Sequence, residues 1–285
     1  WKPSLDILVH SDYGLPEFSK EELKNKLIIL SSYSGNTEEP IDIFKKAKKQ
    51  NLNIAVISTG GELLKLAIKN GVPYVKLPDT GIQPRSALGF SIQAFLKIIG
   101  EEGELRKIKK LATSLRPALY EKNGKNLAEE MKNHIPVIYA SSRNLSLAYN
   151  WKIKLNETGK TPAFCNVFPE LNHNEMTGFD PVRSLISNEA GVTEREKLNT
   201  PFYFIILKDA EDDPRILKRM EVLEKLYKDR NLPVQALLLK EKDVWSKIFS
   251  SLILADWVAY YTALQYGLEP EQVPIVEEFK KLVLV

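Results

Sequence analysis

The sequence predicts an α/β protein built from two doubly wound parallel-sheet domains of the flavodoxin-like type. Short apolar runs alternate with longer amphipathic segments, which is the pattern of parallel strands joined by helices. The alternation stops at a polar stretch, "YEKNGKN" (120–126), and then restarts. A chain of 285 residues is also long enough for two medium domains. We therefore expect an N-terminal domain over 1–120 and a C-terminal domain over 121–285.

The first half of the chain contains four predicted strands and three predicted helical segments. The strands are expected at 5–11, 26–32, 53–59 and 73–78. The helices are expected at 37–51, 61–71 and 86–119, the last of them with a break near Gly103. Strands that alternate with helices in this way indicate a parallel sheet covered by helices on both faces.

The second half repeats the pattern after the polar stretch 120–126, which we interpret as a linker. Its strands are expected at 135–142, 161–168, 201–209 and 233–240. Its helices are expected at 144–160, 213–231, 244–267 and 274–285. The two halves are similar in kind but not in sequence, which supports two separate α/β domains.

The composition excludes several classes of protein. A net charge of +3 arises from 40 basic and 37 acidic residues, and the chain contains no dense basic block, so we do not expect nucleic-acid binding. No uncharged apolar run approaches the ~20 residues that a membrane helix needs. Hydrophobic residues at 44% and charged residues at 27% are ordinary for a globular protein. Small anionic ligands remain possible, because they need only a local positive site.

Cysteine and histidine usage argues against disulfides and metal sites. The single cysteine, Cys165, cannot form an intrachain disulfide, which suits a reducing cytoplasm. We interpret Cys165 as a small buried hydrophobe rather than as a nucleophile. The three histidines are His10, His134 and His173, and their spacing matches neither HxH nor HExxH. We therefore predict no metal site.

The stretch "SSYSGNT" (31–37) lies between a predicted strand and a predicted helix. Ligands of doubly wound sheets bind at such strand-to-helix turns. The hydroxyls of Ser32, Ser34 and Thr37 could donate to phosphate oxygens, and Gly35 permits a close backbone approach. The amino end of the following helix also favours an anion. We predict a phosphate site here; the alternative is that these hydroxyls only cap a helix and form a turn.

Several segments resemble known sugar isomerase (SIS) proteins. "SYSGNT" resembles the phosphosugar-binding loop of SIS domains, and the segment 150–178 resembles the active-site region of bifunctional phosphoglucose/phosphomannose isomerases. Three further segments fit that family in the expected order: "STGG" (58–61), "QPRSALG" (83–89) and "VPIVEEFKK" (273–281). The resemblance implies two SIS-type domains with the active site between them, completed by the partner subunit of a homodimer.

The resemblance also implies an activity. The expected reaction interconverts glucose 6-phosphate and fructose 6-phosphate, and also mannose 6-phosphate, by proton transfer through a cis-enediol. It needs neither a metal nor a cofactor, and the enzyme is expected in the cytoplasm. Two alternatives remain: a non-catalytic SIS regulator that binds a sugar phosphate, and an SIS isomerase that acts on another phosphosugar.

Two charged residues are assigned to the proton transfer. By resemblance, Glu157 in "LNETGK" is the base that moves the proton between C2 and C1. Arg85 in "QPRSALG" is expected to face the enediolate, where a fixed guanidinium stabilises charge that develops in the transition state. The alternative roles are a helix-terminal surface glutamate and a surface arginine that caps a turn.

Two further residues are assigned to ring opening. His173 in "ELNHNE" could protonate the ring oxygen, and the resemblance implies that it enters the active site from the partner subunit. Its neighbours Glu170 and Glu175 are weaker candidates for the base. Lys280 in "VEEFKK" is the second candidate, and the register favours it over Lys281. The alternatives are a hydrogen-bonded loop histidine and a solvated helical lysine.

The sequence departs from the family pattern at two places. Family members open with a glycine-rich loop after their first strand, whereas "LDILVHS" (5–11) resembles their second strand. We therefore expect that the N-terminal domain lacks its first strand and glycine-rich loop. In addition, Val273 stands where relatives carry a threonine that is thought to help accept both C2 epimers. The prediction of phosphomannose isomerase activity is thus weaker than that of phosphoglucose isomerase activity.

Overall fold

A computed structural model describes residues 5–179 and 201–283 of the chain. The chain divides into two compact units, Trp1–Lys110 and Leu111–Val285. Each unit contains a parallel sheet with helices packed against it. This arrangement confirms the predicted α/β fold class, while the predicted domain boundary after residue 120 stays a prediction.

The first unit has a three-stranded sheet in the order β1-β2-β3, with all strands parallel. The strands are β1 (Leu27–Ser31), β2 (Asn53–Ser58) and β3 (Tyr74–Lys76). The helices are α1 (Lys20–Lys24), α2 (Glu38–Lys49), α3 (Gly61–Lys69), α4 (Leu88–Ile98) and α5 (Glu102–Ser114), whose end belongs to the second unit.

Helices cover both faces of this sheet. Successive side chains of a strand point to opposite faces, and here the apolar side chains lie on both of them. On one face, Leu30 and Val56 pack with Phe44 of α2 and Leu63 of α3. On the other face, Ile57 packs with side chains of α4. The amphipathic helices that the sequence predicts at 37–51 and 61–71 are therefore confirmed.

The second unit has a four-stranded parallel sheet in the order β5-β4-β6-β7. The strands are β4 (Ile135–Ser141), β5 (Phe164–Phe168), β6 (Phe202–Asp209) and β7 (Val234–Leu239). The helices are α6 (Ala118–Glu130), α7 (Leu145–Glu157), α8 (Glu175–Gly178), α9 (Pro214–Asp229), α10 (Val244–Gln265) and α11 (Pro274–Val283). The chain leaves β4 on one side towards β5 and returns on the other side as β6, so the topological switch point lies between β4 and β6.

Within the described ranges, no helix combines the length and the apolar character needed to cross a bilayer. The last two residues of the predicted terminal helix, 284–285, lie outside the described residues.

The predicted strand at 5–11 is wrong. The segment is irregular and pairs with none of the described strands. An extended segment gains little from its conformation unless a neighbouring strand accepts its backbone hydrogen bonds. Its apolar side chains Leu5, Ile7, Leu8 and Val9 are exposed, so burial in a core does not stabilise a strand here either.

The predicted linker at 120–126 is also wrong, because these residues lie within helix α6. Their polar side chains form one face of a helix whose other face buries Leu127 and Ala128. Gly124 allows α6 to approach α10 closely, since an added Cβ would lie 2.3 Å from the Cβ of Trp257. The indole of Trp257 also donates to the carbonyl of Pro117 at 2.9 Å. Tertiary packing therefore makes this polar stretch helical.

The break in the long helical segment falls at Gly100 rather than near Gly103. Gly100 has φ of +76° and ends α4, whereas Gly103 lies inside α5. The N–H of Gly100 donates to Lys97 O at 3.2 Å, and the N–H of Glu101 donates to Leu96 O at 2.8 Å. This pair of bonds is the Schellman motif, which uses a left-handed glycine to end a helix.

Candidate functional site

The loop 32–37 connects β1 to α2 and folds back on itself through its own hydroxyls. The N–H of Gly35 donates to Ser32 Oγ at 3.1 Å, and the N–H of Asn36 donates to Ser34 Oγ at 3.2 Å. Ser32 Oγ also lies 2.7 Å from Thr37 Oγ1. The residues that we predict as phosphate ligands therefore also stabilise the turn through their hydrogen bonds.

The three hydroxyls of this loop are not equivalent. Ser32 is only 6% exposed, and its Oγ already accepts the Gly35 N–H. Since a buried hydroxyl hydrogen needs an acceptor, we infer that Ser32 donates to Thr37. Thr37 is the N-cap residue of α2. When its Oγ1 accepts from Ser32, its own hydroxyl hydrogen can donate to an acceptor outside the loop. Ser34 and Thr37 are exposed and can donate to an anion, while Ser32 orients Thr37.

The loop 32–37 interlocks with the loop that follows β2, residues 58–61. Gly35 has φ of +74°, and a Cβ added to it would lie 1.9 Å from the carbonyl oxygen of Gly60. Gly61 has φ of +67°, and its added Cβ would lie 2.4 Å from the carbonyl oxygen of Ser34. Backbone bonds join the loops as well: Leu63 N–H donates to Gly35 O at 2.8 Å and Thr59 N–H to Tyr33 O at 2.9 Å. The two turns therefore form one rigid body.

Replacing Gly35 by alanine should destabilise the protein more than the same change at Gly81. Both glycines have φ of +74°, but nothing lies within 4 Å of a Cβ added at Gly81. The two variants therefore share the conformational cost, and only Gly35→Ala adds a clash with backbone. We expect Gly35→Ala to lower the free energy of unfolding by about 2 kcal/mol more than Gly81→Ala. Urea unfolding of both variants measures the difference, and equal losses would contradict the interlocked arrangement.

Arg85 comes after the carboxyl end of β3 in the chain. It follows β3 on a short 3-10 turn, Pro84–Ser86, and its side chain is half-buried. Ser86 N–H donates to Gln83 O at 2.9 Å, and Ala87 N–H donates to Pro84 O at 3.0 Å, which fixes the backbone of the turn. Because the strands are parallel, their carboxyl ends meet at one edge. The hydroxyl loop and the turn that carries Arg85 thus both follow the carboxyl ends of strands in the first unit, the end at which ligands bind in parallel sheets.

Glu157 is the last residue of α7, and its side chain is half-buried. The turn after it closes the helix, with Thr158 N–H donating to Lys154 O at 2.8 Å. Gly159 is buried in this turn, where an added Cβ would lie 2.7 Å from Leu155 O. The buried Lys154 ammonium meets Asp256 of α10 at 2.5 Å and holds α7 against that helix. The backbone that carries Glu157 is therefore well fixed.

His173 ends the 3-10 turn Glu170–Asn172, and its side chain is exposed. Its backbone N–H donates to Glu170 O at 2.9 Å. The side chain of Glu170 accepts from Asn174 Nδ2 at 2.9 Å. The structure therefore presents the imidazole on a short, hydrogen-bonded turn at the surface of the unit.

Glu175 has a structural role. Its carboxylate accepts from the hydroxyl of the buried Tyr139 at 2.7 Å and from the amide of Asn166. Burial raises the pKa of Tyr139 well above its usual value, and the Glu175 carboxylate adds to this effect, so the phenol stays protonated and donates. Both oxygens of Glu175 are engaged in holding α8 to the sheet. That Glu157 rather than Glu175 is the base stays a prediction.

Lys280 and Lys281 lie on α11, and both side chains are exposed. Lys280 Nζ lies 2.7 Å from Glu277 Oε1 on the same helix. The structure does not distinguish the two lysines by burial. Within the second unit, the turn after Glu157 is joined to the segment that leads into α11 by the side chain of Lys160.

The sequence interpretation missed a polar cluster at the switch point between β4 and β6. Lys247 Nζ meets Asp209 Oδ1 at 2.7 Å, and both side chains are buried. Ser141 Oγ donates to Asp212 Oδ1 at 2.7 Å.

Burial favours a higher pKa for Asp209, but the hydrogen bonds that its carboxylate accepts from Lys247, Glu211 N–H and Asn144 outweigh this effect and lower the pKa. Burial raises the pKa of Asp212. Side chains of the protein itself thus occupy the place where doubly wound sheets bind ligands.

Cys165 lies on β5 and is half-buried. Burial raises the pKa of its thiol, which disfavours the reactive thiolate. The structure therefore favours the packing role that the sequence indicates over a nucleophilic one.

Comparison with known proteins gives concordant results. Residues 120–283 match the family described as bacterial phospho-glucose isomerase C-terminal SIS domain. The bifunctional phosphoglucose/phosphomannose isomerase of Caldicellulosiruptor bescii is 31% identical over 98% of this chain and 81% of its own length. The protein of the same name from Thermoplasma acidophilum is 32% identical over 97% of this chain and 81% of its own length.

Among solved structures, the glucosamine-6-phosphate deaminase of Thermotoga maritima matches with a TM-score of 0.61. The match covers 87% of this chain and 73% of that protein, at 16% sequence identity. At this level of identity the likeness concerns the fold alone, and it agrees with the parallel-sheet architecture described above.

Proposed function

Because the chain belongs to the family of bifunctional phosphoglucose/phosphomannose isomerases, we propose that it interconverts glucose 6-phosphate and fructose 6-phosphate, and that it also accepts mannose 6-phosphate. The observation that carries this proposal is the 31% identity, over 98% of the chain, to a relative of that name. The loop 32–37 supports it independently, because its exposed hydroxyls and the amino end of α2 suit the phosphate that these substrates share.

The first unit supplies the groups that hold negative charge. Ser34 and Thr37 donate to the phosphate, and Ser32 orients Thr37 through their 2.7 Å contact. Arg85 stabilises the enediolate that forms when the proton leaves C2 or C1. A positively charged side chain in this role makes a metal ion unnecessary, so the proposed reaction is metal-independent.

The second unit supplies the acid and base groups. Glu157 removes the proton from one carbon and returns it to the neighbouring carbon through a cis-enediol. His173 and Lys280 open the sugar ring, and His173 acts in the active site of the partner subunit of a homodimer. The exposure of the His173 side chain is compatible with this role. Cytoplasmic localisation is part of the proposal and agrees with the single cysteine.

A coupled assay with glucose 6-phosphate, mannose 6-phosphate and fructose 6-phosphate tests the function. We expect turnover of both aldose phosphates in excess EDTA, with glucose 6-phosphate the better substrate because Val273 replaces the family threonine. Free fructose, which lacks the phosphate, is the control and should not be turned over. Complete loss of activity in EDTA would contradict the metal-free mechanism. Binding of fructose 6-phosphate without turnover would indicate a regulator instead.

A further inference from the structure

One side chain, that of Lys160, bridges two segments that carry proposed catalytic residues. Its ammonium donates to the backbone carbonyl of Glu157 at 2.5 Å. It also donates to the backbone carbonyl of Gln272, two residues before α11 begins at Pro274. The two carbonyls are far apart in sequence, so a single cation fixes their separation.

The contact with Glu157 caps the carboxyl end of helix α7. The last carbonyls of a helix have no partner within the helix, and a cation near them is also favoured by the helix dipole. Lys160 reaches back to Glu157 from the turn that follows, where its φ is +54°. A residue other than glycine in this left-handed region is strained. Two charge-assisted hydrogen bonds to carbonyls offset this strain.

The contact with Gln272 fastens an ordered turn. The Glu269 carboxylate accepts the N–H of Glu271 at 2.8 Å and the N–H of Gln272 at 2.6 Å. The carbonyl of Val273 then accepts the N–H of Val276 at 3.0 Å, which starts α11. Gln272 therefore lies at the junction between a preformed turn and the helix.

Helix α11 depends on this junction for its position. None of its described side chains is buried, and its apolar residues Ile275, Phe279 and Leu282 are exposed. A helix that buries so little is held in the unit mainly by what attaches its first turn. The Lys160–Gln272 contact is such an attachment, and it leads directly to the turn that carries Glu157.

We propose that Lys160 is a positioning residue that fixes α11, and with it Lys280, relative to Glu157. The catalytic consequence rests on the proposed function, whereas the structural consequence does not. Acid and base groups act efficiently only when they are held in productive geometry, and a displacement of about 1 Å can cost ~100-fold in rate. Lys160 itself transfers no proton in this scheme.

The test compares Lys160→Met with Lys160→Arg and with the control Lys225→Met. Lys225 lies on α9, where it pairs only with the exposed Asp229 at 2.5 Å among the described contacts. We expect Lys160→Met to lower kcat about 10- to 100-fold, with an unchanged KM for fructose 6-phosphate because the phosphate is bound by the first unit. Lys160→Arg should recover most of kcat, because a guanidinium can also donate to two carbonyls. Lys225→Met should resemble the wild type.

Hydrogen exchange supplies a readout that does not depend on activity. In Lys160→Met, the amides of residues 269–283 should exchange faster, while those of β4 and β6 should not change. Wild-type kcat and wild-type exchange in Lys160→Met would overturn the proposal. Faster exchange throughout the second unit, with kcat per folded molecule unchanged, would also overturn it, because Lys160 would then be purely structural. A third outcome separates the two proposals. If Lys160→Met exchanges faster only at residues 269–283, but the wild type does not isomerise sugar phosphates, the anchoring role of Lys160 is supported and the proposed function is wrong.

Discussion

Replacing Glu157 by glutamine should lower the turnover of glucose 6-phosphate about 10³-fold and leave fructose 6-phosphate binding nearly unchanged. Glutamine keeps the size and the hydrogen-bonding reach of glutamate but cannot accept a proton from carbon. The backbone at position 157 is fixed by the turn that follows α7, so the substitution should not disturb the fold. Steady-state kinetics and calorimetric titration with fructose 6-phosphate measure the two effects separately.

Two other glutamates serve as matched controls for this experiment. Glu170 is exposed beside His173, and Glu170→Gln should keep most of the activity. Glu175→Gln should lower the melting temperature, because the carboxylate accepts bonds from both Tyr139 and Asn166 and an amide cannot replace both acceptors. Unchanged turnover in Glu157→Gln, or a larger loss in Glu170→Gln, would remove Glu157 as the base.

Replacing Arg85 by methionine should lower kcat about 10²-fold, close to the effect of removing one oxyanion donor in other enzymes. The guanidinium is proposed to stabilise the enediolate, whose charge is absent from the bound substrate, so KM should change much less than kcat. Pro84 and the bonds of the turn Pro84–Ser86 hold the arginine backbone, which limits the reorganisation needed during the reaction.

The control for Arg85 is Arg116→Met, which removes an exposed guanidinium from the connection between α5 and α6. This variant should retain wild-type kinetics. Arg85→Lys should recover part of kcat, because an ammonium supplies the charge but not the planar, fixed donors. If Arg85→Met raised KM and left kcat unchanged, Arg85 would bind the substrate without stabilising the enediolate.

The alternation of strands and helices could be predicted from the sequence, because the spacing of apolar residues shows which side of each element is buried. The two wrong elements depend on contacts that local periodicity does not report. The apolar run 5–11 is extended only if another strand lies beside it, and no described strand does. The polar run 120–126 is helical because Gly124 lets α6 pack against Trp257, which lies much further along the chain.

The candidate site could be predicted only in part for a similar reason. The hydroxyls of the loop 32–37 are adjacent in sequence, so the loop could be recognised, but its packing against "STGG" (58–61) could not. The different tasks of Ser32 and Thr37 depend on burial and on a 2.7 Å contact. The cluster of Ser141, Asp209 and Lys247 is dispersed over the second half of the chain and is assembled only by the sheet.

The carbonyl of Gly60 fills the space beside Gly35, and this fact limits how the enzyme can select its substrate. The turn proposed to bind the phosphate is fixed by these contacts before any sugar arrives, so we expect little conformational entropy to be lost on binding. In the proposed complex its shape cannot adapt to the carbon skeleton, so we expect every hexose 6-phosphate to be held by its phosphate in the same way. We therefore expect the preference between C2 epimers to arise at the opposite end of the sugar, where the hydroxyl at C2 would meet the protein.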